Sequence, residues 1–361
     1  VLKNYGLALS RMHRWNEAVP FFLQAIEYHP DDYVEAIAHL ANALLSANRN
    51  DEAWVCLSEL SKNDQTNTTS LSQLLCAGFK RCDWQELEPR LLSLRSLSDD
   101  YRQLTDNPFV LLSFPGTTSE EQQRVASNYA RYSAHSAIVD AEGIQWARDA
   151  VAPGSAKRMR LGYLSADYHN HPVGLIIPEV IELHDRSRVE VFGYSMGPDD
   201  GSEIRRRLCA GFDHFVDLAD CSIRETVRRI RADAIDILID LCGWTSQGRP
   251  EALALRCAPV QVNWLGYAGT MGHPKLADYL LGDPVVTPAA DQPHYTETLA
   301  HLPHCYLPAD TTAALAEPPS RKEAGLPEEG FVFCSFNASY KFNPQVFDLW
   351  CCLLREIDGS C

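Results

Sequence analysis

The stretch R-L-G-Y-L-S-A-D-Y-H-N-H-P-V-G, Arg160 to Gly174, decides how the second half of the chain is read. A short apolar strand pattern runs into a loop carrying Asp167, Tyr168, His169, Asn170 and His171. Pro172 and Gly174 then open a helix. In an open α/β sheet, ligands bind at the C-terminal ends of strands, so this is where a first-strand active-site loop belongs. Histidine titrates near neutral pH, which makes the two imidazoles candidate chemistry. Taken alone, His171 before Pro172 serves equally well as a loop-packing residue.

Outward from that loop, apolar strands alternate with amphipathic helices. Strands are predicted at Arg160–Ala166, Val189–Met196, His214–Leu218, Ile235–Leu241, Val260–Tyr267 and Asp278–Gly282. Helices are predicted at Val173–His184, Ser202–Ala210, Ser222–Ala232 and Arg249–Arg256. This alternation implies a parallel sheet covered by helices. A Pro- and Ala-rich segment, Leu307 to Gly330, reads as a linker. Phe331–Phe336 then reads as a strand and Pro344–Ile357 as a helix, the opening of a second α/β unit that is cut off.

Before the loop the chain is helical and repeats itself. Leu2, Gly6, Leu9, Ala18, Phe22, Ala25 and Pro30 fit the tetratricopeptide template. Ile37, Leu40, Ala41, Leu44, Ala53 and Leu57 restate it about 35 residues later. Glu17-Ala18 and Glu52-Ala53 mark the same point in each second helix. Such a unit cannot bury its apolar face alone, so further repeats are expected ahead of Val1, where the sequence opens without Met. From Ser70 to Arg95 the period persists as one degenerate helix pair, and another helix is expected over Ser119 to Ala137. The expected organisation is therefore tetratricopeptide repeats over 1–66, degenerate helical repeats over 67–140 and a linker over 141–158. A first lobe follows over 159–306, a linker over 307–330 and the start of a second lobe over 331–361.

Composition narrows the function. The 361 residues are 45% apolar and 22% charged, as in a soluble globular protein. Lys plus Arg total 32 against 48 acidic residues, a net charge of −16. That balance argues against nucleic-acid and anionic-membrane partners, which need basic footprints. Arg205-Arg206-Arg207 and Arg228-Arg229 fall on predicted helices and read as solvated faces. The 12 cysteines form no C-x-x-C and no disulfide framework, which points to a reducing cytoplasmic setting without structural zinc. No apolar run reaches the length of a membrane span, and no signal peptide leads the chain.

No G-x-G-x-x-G follows the first strand, and neither a P-loop nor H-E-x-x-H is present, so dinucleotide oxidoreductase and nucleoside-triphosphatase readings lack support. His169 and His171 lack Cys or carboxylate partners at metal-site spacing. N-W-L-G-Y-A-G-T, Asn263 to Thr270, ends a strand with glycines where backbone must approach something closely. D-L-C-G-W-T-S-Q-G, Asp240 to Gly248, has the same character. Each alone is a tight turn after a core strand; together with the histidine loop they build one wall of a cleft. Cys334 to Lys341 delivers Asn337, Tyr340 and Lys341 into a loop, where a lysine can neutralise phosphate or simply face solvent.

These motifs in this order resemble the O-linked N-acetylglucosamine transferase family, particularly its bacterial members. The carrying segments are L-G-Y-L-S-A-D-Y-H-N-H-P-V-G, Pro198–Ser202, Arg249–Thr270 and Phe336–Pro344, with the repeats ahead of them. The resemblance implies an α-solenoid followed by the first of two Rossmann-like lobes. It also implies inverting, metal-independent transfer of N-acetylglucosamine from UDP-N-acetylglucosamine to Ser or Thr hydroxyls of proteins. No cofactor beyond the donor sugar nucleotide is implied, and protein or peptide acceptors are expected on the repeats. Carried over by motif, His171 is the first-lobe histidine, a base or a positioning group, and Lys341 neutralises the departing diphosphate. His214 is a second histidine near the sugar; Leu265, Gly266, Tyr267 and Thr270 line the sugar pocket; Asn337 and Tyr340 flank the lysine. Ala268 departs from the family pattern, which often has proline there. With most of the second lobe missing, the chain alone is expected to bind UDP poorly and not to turn over. The rival readings are a UDP-glucose-dependent asparagine glucosyltransferase, whose relatives usually lack regular repeats, and a non-catalytic repeat scaffold.

Overall fold

A computed structural model describes residues 1–12, 14–28, 33–63, 68–98, 107–140, 158–313 and 317–361. The chain divides into two compact units, Val1–Asp106 with Ala316–Cys361, and Asn107–Leu315. The division departs from the sequence reading, because helices after Asn107 join the α/β unit and residues 331–361 join the repeats. The expected linker over 141–158 lies, apart from Arg158, outside the described residues, as does Pro30.

In the first unit, α1 (Leu2–Arg11), α2 (Trp15–Tyr28), α3 (Tyr33–Ser46), α4 (Asn50–Asn63), α5 (Thr68–Arg81) and α6 (Leu87–Ser98) follow one another as neighbouring antiparallel pairs. Ala18, Phe22 and Ala25 are buried in the first pair, and Ala53, Leu57 and Leu60 stand at the matching places in the second. Gly6 is required there, since a Cβ would come within 2.7 Å of the Phe22 ring. The repeat extends to polar groups: Arg14 grips Glu17 and Arg49 grips Glu52 with the same pair of bonds, 2.7 and 2.6 Å.

Phe331–Phe336 does not form the expected strand. A strand needs a ladder, and here Phe333 N–H reaches the Cys361 carbonyl while Cys361 N–H reaches that of Phe331. A 3-10 turn, Ser339–Lys341, follows, with Ser339 Oγ donating to the Lys80 carbonyl at 2.7 Å. The last helix appears as expected; α14 (Pro344–Glu356) is capped by Asn343, which accepts from Val346 N–H.

The second unit opens with a 3-10 turn, Pro108–Ser113, then α7 (Ser119–Ser133) and α8 (His135–Asp140). The single helix expected here breaks at Ala134, and the N-cap is Thr118, which accepts from Glu121 N–H. The described residues then hold seven strands: β1 (Met159–Ser165), β2 (Val189–Ser195), β3 (His214–Asp217), β4 (Ile237–Asp240), β5 (Val260–Asn263), β6 (Tyr279–Gly282) and β7 (Thr298–His301). They make one sheet, order β3-β2-β1-β4-β5-β6-β7, with every pairing parallel. Between the strands lie α9 (Pro172–Ile176), α10 (Pro178–Glu182), α11 (Glu203–Gly211), α12 (Ile223–Ala232) and α13 (Pro250–Ala254). The helix expected over Val173–His184 is two short ones, divided at Ile177 before Pro178, whose ring cannot continue the hydrogen-bond ladder.

Buried residues alternate along the strands between two cores. Leu164 and Leu238 face one, Leu161, Tyr163 and Ile239 the other, as two covered faces require. The strand order reverses between β1 and β4, so their C-terminal ends flank the switch-point crevice. No described helix is long and apolar enough to cross a membrane.

Candidate active site

The histidine loop leaves β1 at Ser165, on one side of that crevice. Ser165 Oγ accepts from Asp167 N–H at 2.9 Å, which turns the chain. His171 is the N-cap of α9, its Nδ1 accepting from Val173 N–H at 3.3 Å. The Asp167 carboxylate lies 3.7 Å from the same nitrogen. An acceptor Nδ1 leaves the proton of a neutral imidazole on Nε2. Partial burial lowers the His171 pKa, opposed by Asp167 and reinforced by His169. Burial raises the Asp167 pKa despite both imidazoles. The neutral, Nε2-protonated ring is thus the favoured form.

Backbone contacts hold this loop in place. A Cβ at Gly174 would overlap the His169 carbonyl and come within 2.7 Å of that of Asp167. A Cβ at Gly197, just past β2, would overlap the Ala166 carbonyl. Arg205 on α11 is 3% exposed and donates to Ser195 Oγ at 2.6 Å and to the Tyr168 carbonyl at 3.2 Å. Its burial corrects the reading of Arg205-Arg206-Arg207 as a solvated face. The triplet gave no signal that one arginine turns inward; only the strand ends it meets in space reveal it. Asp200 Oδ2 accepts from Asn170 N–H at 2.9 Å.

Across the crevice, β4 ends at buried Asp240, which accepts from Cys242 and Gly243 N–H at 3.1 and 2.8 Å. Burial pushes its pKa up to about 6, against those two bonds. The fully buried Cys242 Sγ accepts from Ala166 N–H at 3.3 Å, tying the two loops together.

The glycine loop after β5 begins earlier than expected. The strand stops at Asn263 rather than running to Tyr267, because Leu265 takes φ +77°, a left-handed conformation. Gly266 N–H bonds the Leu241 carbonyl at 3.2 Å, and a Cβ at Gly266 would overlap that oxygen. Leu265 and Gly266 are thereby pressed against the end of β4. Asn263 Nδ2 spans the turn to the Tyr267 and Gly269 carbonyls at 3.0 and 3.3 Å.

Two expected residues, Thr270 and His214, have their polar atoms engaged elsewhere, and a third, Tyr267, has its hydroxyl buried without a partner. Tyr267 is fully buried and packs near Phe109. Thr270 Oγ1 donates to the buried Glu297 at 2.7 Å and accepts from Gly272 and Thr296 N–H, which uses the hydroxyl internally. His214 is carried at the start of β3, paired with Phe192, which pairs with Gly162, three residues short of Ser165. That places it about 10 Å back from the strand ends. Its Nε2 bonds Glu190 at 2.9 Å and its ring stacks on Phe192 at 4.3 Å. The loops carrying His171 and Leu265-Gly266 thus both border the end of β4, through Ala166 on Cys242 and Gly266 on Leu241, whereas His214 lies at the start of β3. Asn337 and Lys341 belong to the other unit and are exposed, with Tyr340 between them half-buried.

A parallel sheet with a histidine loop and a glycine loop at its switch point, in a chain that opens with helical repeats, defines an α/β protein with a ligand crevice at the strand ends. Residues 81–318 match the profile of glycosyl transferase family 41, and residues 9–75 match a tetratricopeptide-repeat profile. The chain belongs to glycosyl transferase family 41. A probable UDP-N-acetylglucosamine–peptide N-acetylglucosaminyltransferase of Arabidopsis thaliana is 38% identical over 57% of this chain and 22% of its own length. A UDP-N-acetylglucosamine–peptide N-acetylglucosaminyltransferase of Caenorhabditis elegans is 34% identical over 63% and 20%. The chain thus spans about a fifth of the length of these curated relatives. Among solved structures, a lysine-to-methionine variant of Thermobaculum terrenum O-GlcNAc transferase superposes with a TM-score of 0.73 at 26% identity, over 99% of this chain and 66% of that one.

Proposed function

We propose that the complete protein transfers N-acetylglucosamine from UDP-N-acetylglucosamine to Ser or Thr hydroxyls of proteins in the cytoplasm, inverting the anomeric centre without a metal. The relatives named above support the donor and the acceptor class. The observation that carries a role for the site is the cap at His171: Nδ1 is engaged by Val173 N–H, so Nε2–H is the group left to serve a substrate. In this reading His171 orients a substrate oxygen as a hydrogen-bond donor. Acting as a base through Nε2 would require the cap to break first.

Lys341 supplies the cation for the departing diphosphate, where fixed positive charge lowers the barrier by several kcal/mol. Backbone at Leu265 and Gly266 shapes the sugar pocket, with Asn337 and Tyr340 beside the lysine. His214, Tyr267 and Thr270 are left out of this site. The repeats hold protein acceptors. The test is transfer by the complete protein from UDP-N-acetylglucosamine against UDP-glucose, with and without a chelator, and with the product anomer assigned by NMR. Preference for UDP-glucose, loss of rate with chelator, or a retained anomer would each overturn the corresponding part.

A further inference from the structure

We propose that the loop Pro198–Ser202 and the buried Arg205 form a clasp that sets the position of His171, making Asp200 and Arg205 positioning residues that touch no substrate. The clasp grips the histidine loop at two points that bracket His169. Arg205 Nη1 holds the Tyr168 carbonyl, and Asp200 Oδ2 holds Asn170 N–H. One residue further on, His171 must meet Val173 N–H to cap α9. The Gly197 contact with the Ala166 carbonyl fixes the start of the same loop.

The clasp is itself preset. Asp200 Oδ1 accepts from Ser202 N–H at 3.0 Å, and Asp199 Oδ1 from Gly201 N–H at 2.9 Å. Gly201 takes φ +65°, the left-handed region suited to glycine. Ser202 then caps α11, accepting from Arg205 N–H at 3.1 Å, which aims the arginine inward. Backbone N–H donors hold the Asp200 carboxyl down at about 2, so it stays an acceptor at any working pH.

The guanidinium is poorly matched for a buried charge. Its Nε has no hydrogen-bond partner, and its carboxylates, Asp199 and Asp217, stand off at 3.9 and 3.6 Å and are themselves exposed. Phe215 lies 4.7 Å beneath it. A buried charge this loosely paired is a weak source of stability; what it fixes is the place of the Tyr168 carbonyl. The groups bearing on His171 are Asp167 and His169 on its own loop; His169 also bears on Asp200, and Asp167 on Asp240 of β4.

The inference rests on the reading of His171 as substrate-facing, and two readouts keep them apart. The first needs no activity: NMR of histidine-labelled chain reports the tautomer and titration of His171. Asp200→Ala is expected to shift the ring signals and move the titration toward that of a free imidazole, near 6.5. Asp200→Asn keeps one acceptor oxygen but sets its amide NH2 against either Asn170 N–H or Ser202 N–H, so it is expected to shift them in the same direction. Arg205→Lys is expected to act like Asp200→Ala; if it does not fold, the surface variant Asp200→Ala carries the test. The second readout is transfer by the complete protein, where Asp200→Ala is expected to lower kcat about tenfold to a hundredfold with the donor KM within about twofold. An unmoved His171 in folded Asp200→Ala would overturn the clasp. A displaced His171 with unaltered kcat would overturn the positioning role together with the reading of His171.

Discussion

The most consequential atom in the second unit is His171 Nδ1, because its engagement as a cap decides what Nε2 can do. His171→Asn keeps a side-chain acceptor for the cap but removes Nε2–H. Its transfer is expected to fall about a hundredfold or more with little change in melting temperature. His214→Ala should leave transfer within about twofold, since that ring pairs with Glu190 away from the strand ends; a large loss would return it to the site. Stability should also respond to pH with opposite signs at two groups. The folded His171 pKa is depressed, so its contribution is present above about 6.5 and is lost as pH falls through the folded value. Asp240 is raised to about 6, so the folded state takes up a proton there and stability falls as pH rises from about 4 toward that value. Urea titrations of Asp240→Asn across this range should show a flatter slope than the wild type. Leu265 sits at φ +77° at a cost of about 1 kcal/mol or more. Leu265→Gly would relieve that strain while losing a buried side chain, and no net gain in stability is expected.

Elements were legible where one face sets the pattern. The strands of the second unit announce themselves by apolar runs between turns, and six of the seven were placed within a few residues. β7 was missed because Thr298–His301 is short and half-exposed at the sheet edge. Phe331–Phe336 shows the converse, an apolar run that has β propensity but little ladder to join. Helix interruptions at Pro178 and Ala134 were readable only as continuous periodicity, since periodicity survives a break. The places of the histidine and glycine loops after β1 and β5 were legible because strand ends and glycines are sequence signals. His214 is matched by motif to a place near the sugar, while the structure sets it at the start of β3, because a motif names residues but not the end of the strand that carries them. Arg205 was invisible because burial of one arginine in three is decided by the strand ends it meets. At this scale Gly174→Ala is the sharpest probe. Its Cβ overlaps the His169 carbonyl, so α9 must move, and we expect a loss of about 2 kcal/mol or more by denaturant midpoint.

At the scale of the whole chain, the two units answer to different rules. The repeats owe their register to a motif that returns with its ion pairs, whereas Asn107–Leu315 encloses its own two cores. That segment expressed alone is therefore expected to unfold in one cooperative urea transition with α/β circular dichroism; a non-cooperative transition would contradict it. One feature of the same segment supplies a clock. Cys242 holds the Ala166 amide from beneath the histidine loop and is wholly enclosed. Cys82, Cys305, Cys334, Cys352 and Cys361 lie in the open. A thiol reagent will modify those five at once and reach Cys242 only when the floor of the crevice parts, so the lag before its modification times the opening of the catalytic lobe.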